Sequence, residues 1–350
     1  MKDSSRRTDN GGEGVPERDR PDRGGLRAPR VVSIGTAGDD LTVGSGQASS
    51  DGKIPLIRSS GVRETAQGIF GMVAEYWGME TSPFVARWTP RFFVATPWYD
   101  EVTARLDYML RQNARLGILI GDAGTGKSWC AAALCAEQRG EGHRSAVLSL
   151  SGVEPESLLP EICRSLGFAT PDERPSWGFL TDQLAETAYF GRHTLLICED
   201  VDRCSSGTRA ALSRLPALES DSPMGLTVLM TTRTTSRTSE RIVEQIPELT
   251  DYFDQATLTM ELGVWDSGMV TAIMEQLLAI VGTVRPPFTE DAVETLVEES
   301  DGNPRRLMRL ADLSLITAAA SELRWVDSET VRWVTSRTFS TTLPRQSETE

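Results

Sequence analysis

The sequence predicts an α/β fold in which a three-layer α/β/α domain with a parallel sheet is followed by a small all-helical domain. Amphipathic stretches such as 156–166 and 208–218 predict the crossover helices of a parallel sheet. After Gly263 the strand pattern stops, and the sequence predicts helices at 266–282, 289–300 and 304–320. Apolar runs without strict polar alternation indicate strands covered on both faces; they are LGILI (116–120), AVLSL (146–150), TLLIC (194–198), LTVLM (226–230) and TLTMEL (257–262).

Composition divides the chain of 350 residues into four parts. Residues 1–60 mix Arg, Asp, Gly and Ser with almost no aromatic residue, so they cannot bury enough apolar surface to fold alone and are predicted to be a disordered tail. Residues 61–264 form the predicted sheet domain, and residues 265–334 form the predicted helical domain. Residues 335–350 are polar again and are predicted to be a second tail.

Charge, cysteine and histidine content argue against several classes of protein. The net charge of −14 disfavours a protein whose main task is to grip phosphate backbones, although a local basic patch is compatible with it. The five cysteines lack CxxC spacing and lie in or beside apolar runs, which indicates buried free thiols. With two histidines in the chain, a histidine-based metal site or a Ser-His-Asp triad is not expected, and both histidines are expected at the surface.

No transmembrane helix is expected from the sequence. The longest apolar runs, such as 226–230, are far shorter than the ~18 residues that a membrane span requires. The N-terminus is polar and lacks the apolar region of a secretory signal. The sequence therefore predicts a cytoplasmic protein.

A phosphate-binding loop (P-loop) follows the first predicted strand, LGILI (116–120). GDAGTGKS matches GxxxxGK[ST] completely and lies between a strand pattern and a helix pattern, as the motif requires. The glycines let backbone N–H groups turn inward around phosphates, and the helix N-terminus adds its positive end. Lys127, one of three lysines in the chain, is expected to reach the β- and γ-phosphates, while Ser128 ligates magnesium. The predicted nucleotide-binding residues are Gly121, Asp122, Ala123, Gly124, Thr125, Gly126, Lys127 and Ser128.

Segments on both sides of this loop resemble one known family. They are YWGMETSPF (76–84) and RFFVATPWYDEVTARLDYML (91–110) before the loop, and SGVEPESLLPEICRSLGF (151–168) and DGNPRRLMRLADLSLITAA (301–319) after it. Over about residues 76–334 the chain resembles AAA+ ATPases of the general secretion pathway protein A family. The resemblance implies ATP and Mg²⁺ as cofactors and a helical lid domain whose Arg305 is the sensor 2 residue that touches the γ-phosphate.

The sequence also departs from the family pattern. Family members often continue into a membrane helix and a periplasmic peptidoglycan-binding domain, whereas this sequence ends, so the secretion role is not expected to carry over. The arginine finger is missing from its family position, the segment 252–258. Arginines of the preceding segment are the candidates to replace it, namely Arg233, Arg237 and Arg241.

Two adjacent carboxylates follow the strand TLLIC in the order Glu–Asp, the reverse of the usual order. In the family register Glu199 takes the magnesium position and Asp200 the position that activates the attacking water. The Asp200 side chain is shorter by one methylene, about 1.5 Å, and a misplacement near 1 Å costs on the order of 10²-fold in rate. Two alternatives stay open: a register shifted by one, in which Glu199 points away from the metal, and a pair of surface acids without a catalytic role.

The strand LTVLM is followed by polar residues at its tip. Thr231 and Thr232 are the two candidates for sensor 1, the residue that orients water near the γ-phosphate. The predicted catalytic set is Glu199, Asp200, Thr231, Thr232 and Arg305, with Ser128 and Glu199 as the magnesium ligands.

Three functions are compatible with these residues. The first is a slow ATP-binding AAA+ ATPase that couples ATP hydrolysis to motion of the lid and to remodelling of an unidentified protein partner, in a possible homo-oligomer. The second is a nucleotide-dependent switch or scaffold with little hydrolysis. The third is a DNA-associated ATPase of the transposition-helper kind, which the acidic charge balance disfavours.

Overall fold

A computed structural model describes residues 30–31, 71–84, 88–170, 175–218, 225–233, 249–283 and 286–338. The described strands are β1 (Arg30–Val31), β2 (Val94–Ala95), β3 (Leu116–Gly121), β4 (Arg144–Ser149), β5 (Thr194–Glu199), β6 (Leu226–Arg233) and β7 (Leu258–Leu262). The helices that we label are α1 (Pro97–Arg111), α2 (Lys127–Gly140), α3 (Pro155–Ser165), α4 (Trp177–Tyr189), α5 (Ser206–Leu212), α6 (Thr250–Gln255), α7 (Ser267–Ile280), α8 (Glu290–Ser300), α9 (Pro304–Ala320) and α10 (Ser328–Thr338). Most of the predicted tail 1–60 and residues 339–350 lie outside the described residues.

The described part of the chain contains a five-stranded sheet of order β4-β5-β6-β3-β7, in which every neighbouring pair is parallel. The predicted three-layer α/β fold with a parallel sheet is therefore confirmed. β6 continues to Arg233, beyond the predicted end at 230, because its tip pairs with the end of β3. The helix predicted at 208–218 ends earlier, at Leu212, before Pro216, whose missing N–H cannot continue the helical ladder.

Both faces of the sheet are covered, which explains the unbroken apolar runs. Ile118 and Cys198 belong to the core on one face, where α3, α4 and α5 pack. Leu119 and Ile197 belong to the core on the other face, which includes residues of α1 and α2. Because side chains alternate along a strand, Glu199 follows Ile197 onto the face that α2 covers.

The helical domain contains a fourth helix that the sequence analysis did not predict. This helix, α10, ends at Thr338, past the expected domain boundary at 334. Its buried residues are Thr330, Val331 and Val334, which are too few apolar positions to give a helical pattern by themselves. It is held by packing against α8 and α9.

Residues 71–84, together with Phe92 and Val94, pack into the helical core, although the sequence predicts residues 61–264 to be the sheet domain. Phe84 and Phe92 are buried among residues of the helical domain. The indole Nε1 of Trp77 donates a hydrogen bond to the Leu315 carbonyl oxygen at 3.1 Å. Since β2 and α1 follow directly, this segment connects the helical core with the sheet domain.

The prediction of buried free thiols holds for the cysteines, whereas the prediction of surface histidines fails for one of the two. All five cysteines are free and buried, as predicted. The expected surface position is wrong for His193, whose half-buried ring shares a hydrogen bond with the Thr227 hydroxyl at 2.9 Å. Burial, with the neighbouring His143 as a second cause, lowers the pKa of His193 to about 4.

Among the described residues, no helix has both the length and the apolar character needed to cross a bilayer.

Candidate functional site

The phosphate loop lies between β3 and α2 and brings the predicted nucleotide-binding residues together. Gly121 ends β3, residues 122–126 form the turn, and Lys127 and Ser128 begin α2. Gly124 has a φ of +92°, and a Cβ at this position would lie 2.5 Å from the Asn303 Oδ1. The backbone conformation therefore favours glycine here, and an added Cβ would also displace the Asn303 side chain.

Lys127 lies across the base of the loop. Its Nζ donates hydrogen bonds to the carbonyl oxygens of Gly121 at 2.6 Å and Asp122 at 2.9 Å. Burial lowers the pKa of this ammonium group, and the nearby carboxylates of Asp202 and Asp200 act in the opposite direction. A phosphate bound by the loop therefore meets a cation that is already held in place and largely removed from water, which strengthens their attraction.

Glu199 and Ser128 meet on the face of the sheet that α2 covers. The Ser128 hydroxyl lies within hydrogen-bonding reach of the Glu199 carboxylate; burial nevertheless raises the pKa of Glu199. The Oε1 atom of Glu199 is buried and has no hydrogen-bond partner. A buried carboxylate oxygen without a partner, next to a hydroxyl, is a donor set that suits Mg²⁺.

Asp200 leaves the strand in a left-handed conformation, with φ 58° and ψ 42°. The chain then continues into a 3₁₀ turn, Val201–Arg203. The Asp200 N–H donates to the Thr231 hydroxyl at 3.4 Å. Because β5 ends at Glu199 with this side chain on the α2 face, the geometry argues against the shifted register, in which Glu199 would point away. The partial burial of both acids also argues against a pair of surface acids.

The two sensor 1 candidates lie on opposite faces of the sheet. Both threonines at the tip of β6 are buried. Thr231 is the register partner of Leu119, so it shares the α2 face with Glu199 and contacts the Asp200 N–H. Thr232 lies on the other face, and its hydroxyl is 3.5 Å from the Arg233 carbonyl oxygen. The geometry therefore favours Thr231 over Thr232.

The first turn of α9 lies against the phosphate loop. The Arg305 N–H donates to the Gly124 carbonyl oxygen at 3.1 Å. The Asn303 amide donates to the Ala123 carbonyl oxygen at 2.8 Å, while its Oδ1 caps α9 by accepting from the Arg306 N–H at 3.2 Å. The side chain of Arg305, the sensor 2 candidate, is exposed beside the loop. The helical domain is thus in direct contact with the residues that would hold phosphates.

Sequence reasoning missed Asp202 and Asn303 and did not identify the partner of Arg233. The guanidinium of Arg233 forms an ion pair with Asp202, with Nη2 and Oδ2 separated by 2.9 Å. The sequence around Asp202 does not reveal this ion pair, because Arg233 lies 31 positions further along the chain. The other two arginine-finger candidates, Arg237 and Arg241, lie outside the described residues.

The entry to α9 depends on Gly302, and this gives a testable expectation. Gly302 has a φ of +65°, and a Cβ there would lie 2.2 Å from the Trp265 carbonyl oxygen. We expect Gly302→Ala to lower the free energy of unfolding by about 2–3 kcal/mol, measured by urea denaturation. The matched control is Gly282→Ala, with a φ of +76° but no atom within 4 Å of the added Cβ, for which we expect about 1 kcal/mol. Equal losses in the two variants would contradict this account of Gly302.

Comparison with known sequences identifies related proteins. Residues 110–237 match a family model described as AAA domain. The chain is 25% identical to general secretion pathway protein A of Aeromonas hydrophila over 254 residues, which is 71% of this chain and 45% of that protein. It is also 25% identical to replication factor C subunit 4 of Oryza sativa subsp. japonica over 250 residues, 71% of this chain and 64% of that protein. The matches thus span less than two thirds of these relatives' own lengths.

Comparison with solved structures identifies the same fold. The ORC2 protein of Aeropyrum pernix, solved in ADPNP–ADP complexes, matches with a TM-score of 0.56 and 17% identity over 73% of this chain and 71% of that one. Cdc6p of Pyrobaculum aerophilum matches with a TM-score of 0.55 and 17% identity over 73% of this chain and 70% of that one. At this level of identity the likeness establishes the shared fold alone.

Proposed function

We propose that this chain, which carries an AAA+ ATPase core resembling that of general secretion pathway protein A, binds ATP with Mg²⁺ and hydrolyses it slowly. The observation that supports this most directly is the meeting of Lys127, Ser128 and Glu199 beside a complete phosphate loop. A loop built only for structure needs neither a buried ammonium group nor a buried carboxylate oxygen without a partner.

Each residue of the site has a distinct task in this proposal. The backbone N–H groups of the loop and the Lys127 ammonium bind the phosphates. Ser128 and Glu199 hold the Mg²⁺ ion, which neutralises developing charge on the phosphate oxygens when it is bound. Thr231 orients the attacking water, and the Asp200 carboxylate accepts its proton.

Slow turnover is part of the proposal because Asp200 stands where a longer acid is usual. Its carboxylate has one methylene less to reach the water, and general-base catalysis depends steeply on that distance. Glutamate at the magnesium position does not lower the rate in this way, because the longer Glu199 side chain can still hold a metal ion or a metal-bound water. The exchanged order therefore affects the rate of hydrolysis more than the binding of ATP.

Coupling to the helical domain is proposed to run through the first turn of α9. The hydrogen bonds from Arg305 and Asn303 end on carbonyl oxygens of Gly124 and Ala123, inside the loop that would close around phosphates. A bound γ-phosphate adds a contact to the Arg305 side chain, so its loss on hydrolysis changes how the helical lid is held. This lid motion is the means by which the chain acts on a protein partner or on a second copy of itself.

A second candidate, a nucleotide-dependent switch with little turnover, is favoured by one further observation. Arg233 is paired with Asp202 of its own chain, so this arginine is not free to act as a finger on a neighbouring subunit. A DNA-associated role is disfavoured by the net charge of −14; DNA affinity that falls steeply with salt would support it.

Steady-state phosphate release at saturating ATP separates the two candidates. For the wild type we expect Mg²⁺-dependent turnover on the order of 0.1 s⁻¹, about 10²-fold below a typical enzyme. Glu199→Gln and Ser128→Ala are expected to raise the Mg²⁺ concentration needed for half-maximal turnover at least ~10-fold, whereas Glu141→Gln, an exposed acid beyond α2, serves as the control. Binding without turnover selects the switch. Turnover that is insensitive to EDTA and to both site variants contradicts the proposal.

A further inference from the structure

The left-handed conformation of Asp200 redirects the chain at the end of β5. In an extended strand, Asp200 would point to the face opposite Glu199, away from α2 and the phosphate loop. Left-handed backbone is uncommon at residues other than glycine, and although Asp adopts it more readily than most residues, local contacts are needed to select it over the extended conformation of the strand. The Asp200 side chain accepts no capping hydrogen bond within its own turn. Within the turn, the Arg203 N–H donates to the Asp200 carbonyl oxygen at 2.9 Å, and further contacts come from elsewhere in the fold.

These contacts come from the tip of β6. The Arg233 backbone N–H donates to Asp202 Oδ1 at 3.3 Å, and its Nε donates to Asp202 Oδ2 at 3.0 Å. The Thr231 hydroxyl accepts from the Asp200 N–H at 3.4 Å. The Asp202 side chain is only 11% exposed, so its charge-assisted bonds are less screened by water than those of a surface pair. We call the Asp202–Arg233 pair the β6 clamp.

The β6 clamp lies beside the base of the phosphate loop. Arg233 is the register partner of Gly121, whose carbonyl oxygen accepts a hydrogen bond from Lys127. The carboxylates of both Asp200 and Asp202 raise the pKa of Lys127 against the effect of burial, so both acids lie near this ammonium group. The carboxylate of Asp200, like that of Glu199, therefore lies close enough to the Lys127 ammonium to interact with it, although the two acids are adjacent in the chain.

Building on the proposed ATPase function, we propose that Asp202 and Arg233 are positioning residues that hold Asp200 in its left-handed conformation and so direct its short carboxylate toward the γ-phosphate. In this conformation the backbone brings the Asp200 carboxylate closer to the γ-phosphate, which compensates in part for a side chain that is one methylene shorter than that of glutamate. Asp202 and Arg233 act through Asp200 and not on ATP itself. Their loss should therefore affect turnover and leave ATP binding nearly unchanged.

The test compares Asp202→Asn, Arg233→Gln and the double variant with the wild type. We expect each single variant to lower kcat about 10-fold while the Kd for ATP changes less than about 3-fold. The double variant should be no slower than the slower single variant, because the pair acts as a unit. Glu161→Gln, which breaks the surface pair between Glu161 and Arg164, is the matched control and should leave kcat unchanged.

Amide hydrogen exchange without nucleotide gives a second readout that does not depend on turnover. Exchange of residues 200–203 should become at least ~10-fold faster in both single variants, while exchange within α2 stays unchanged and reports that the sheet domain remains folded. Additive kcat losses, unchanged exchange of residues 200–203, or faster exchange with unchanged kcat would each overturn the proposal. If the wild type shows no turnover, the proposed ATPase function fails, and the exchange comparison still decides whether the β6 clamp holds the turn.

Discussion

Lys127→Met is expected to weaken ATP binding at least ~100-fold, a loss of about 2.7 kcal/mol. The Lys127 ammonium is held at the base of the loop by the carbonyl oxygens of Gly121 and Asp122. A cation that is already ordered and buried attracts phosphates more strongly than one that must first be fixed. Methionine keeps the unbranched shape of the lysine side chain, so the variant removes the charge with little change in packing. Titration with a fluorescent ATP analogue measures the effect.

The control for this variant is Lys53→Met, which removes the same charge from a position far from the loop in the sequence. Its affinity for ATP should equal that of the wild type. Thermal unfolding of both variants shows whether the folded state is kept. An ATP affinity of Lys127→Met within about threefold of the wild type would contradict the assignment of this lysine to the phosphates.

Asp200→Asn is expected to lower kcat at least ~100-fold while the Kd for ATP changes less than about threefold. Asparagine tolerates the left-handed conformation that this position adopts, with φ 58°. The variant therefore keeps the turn and removes only the carboxylate that accepts a proton. Single-turnover hydrolysis and equilibrium ATP binding, measured on the same preparation, separate the two effects.

Glu322→Gln is the matched control for Asp200→Asn. Glu322 is also an acidic residue in the left-handed conformation, with φ 52°. It lies just after the C-terminal end of α9, whereas Arg305 lies at the N-terminal end of this helix. Changing it to an amide should leave both kcat and ATP binding unchanged. If Asp200→Asn hydrolyses ATP as fast as the wild type, another group activates the water, and Asp202 then becomes the next acid to test.

The sheet and the phosphate loop could be predicted from the sequence because their signals are local. Strands buried on both faces give unbroken apolar runs, and β3 and β5 begin where their runs begin. The loop motif specifies glycines, a lysine and a hydroxyl within eight positions, and the structure places these residues from the end of β3 to the start of α2. The two carboxylates could also be identified from the sequence, because Glu199 ends β5 and Asp200 follows it directly.

The conformation of Asp200 could not be predicted, because it depends on residues far away in the sequence. Strand alternation alone would send Asp200 to the face opposite Glu199. The partners of its turn, Thr231 and Arg233, are 31 positions beyond Asp200 and Asp202 respectively. The choice between Thr231 and Thr232 likewise follows from the register of β6 against β3, which no local pattern specifies.

The boundaries of the helical domain were hard to predict for a similar reason. Residues 71–84 lie before the sheet in sequence but pack in the helical core, where Ser82 donates to the Asp312 carboxylate at 2.6 Å. Helix α10 buries Val331 and Val334 against its neighbours and has few other apolar residues. Tertiary packing, which composition does not record, decides both assignments.

The central claim is tested most directly by isothermal titration calorimetry of the wild-type chain with ATP and Mg²⁺. The arrangement of Lys127, Ser128 and Glu199 predicts saturable binding at a single site with a Kd in the micromolar range, about −8 kcal/mol. The predicted affinity falls when Mg²⁺ is removed with EDTA. No detectable binding of ATP at millimolar concentration, by a chain shown to be folded, would contradict the claim that this loop holds a nucleotide.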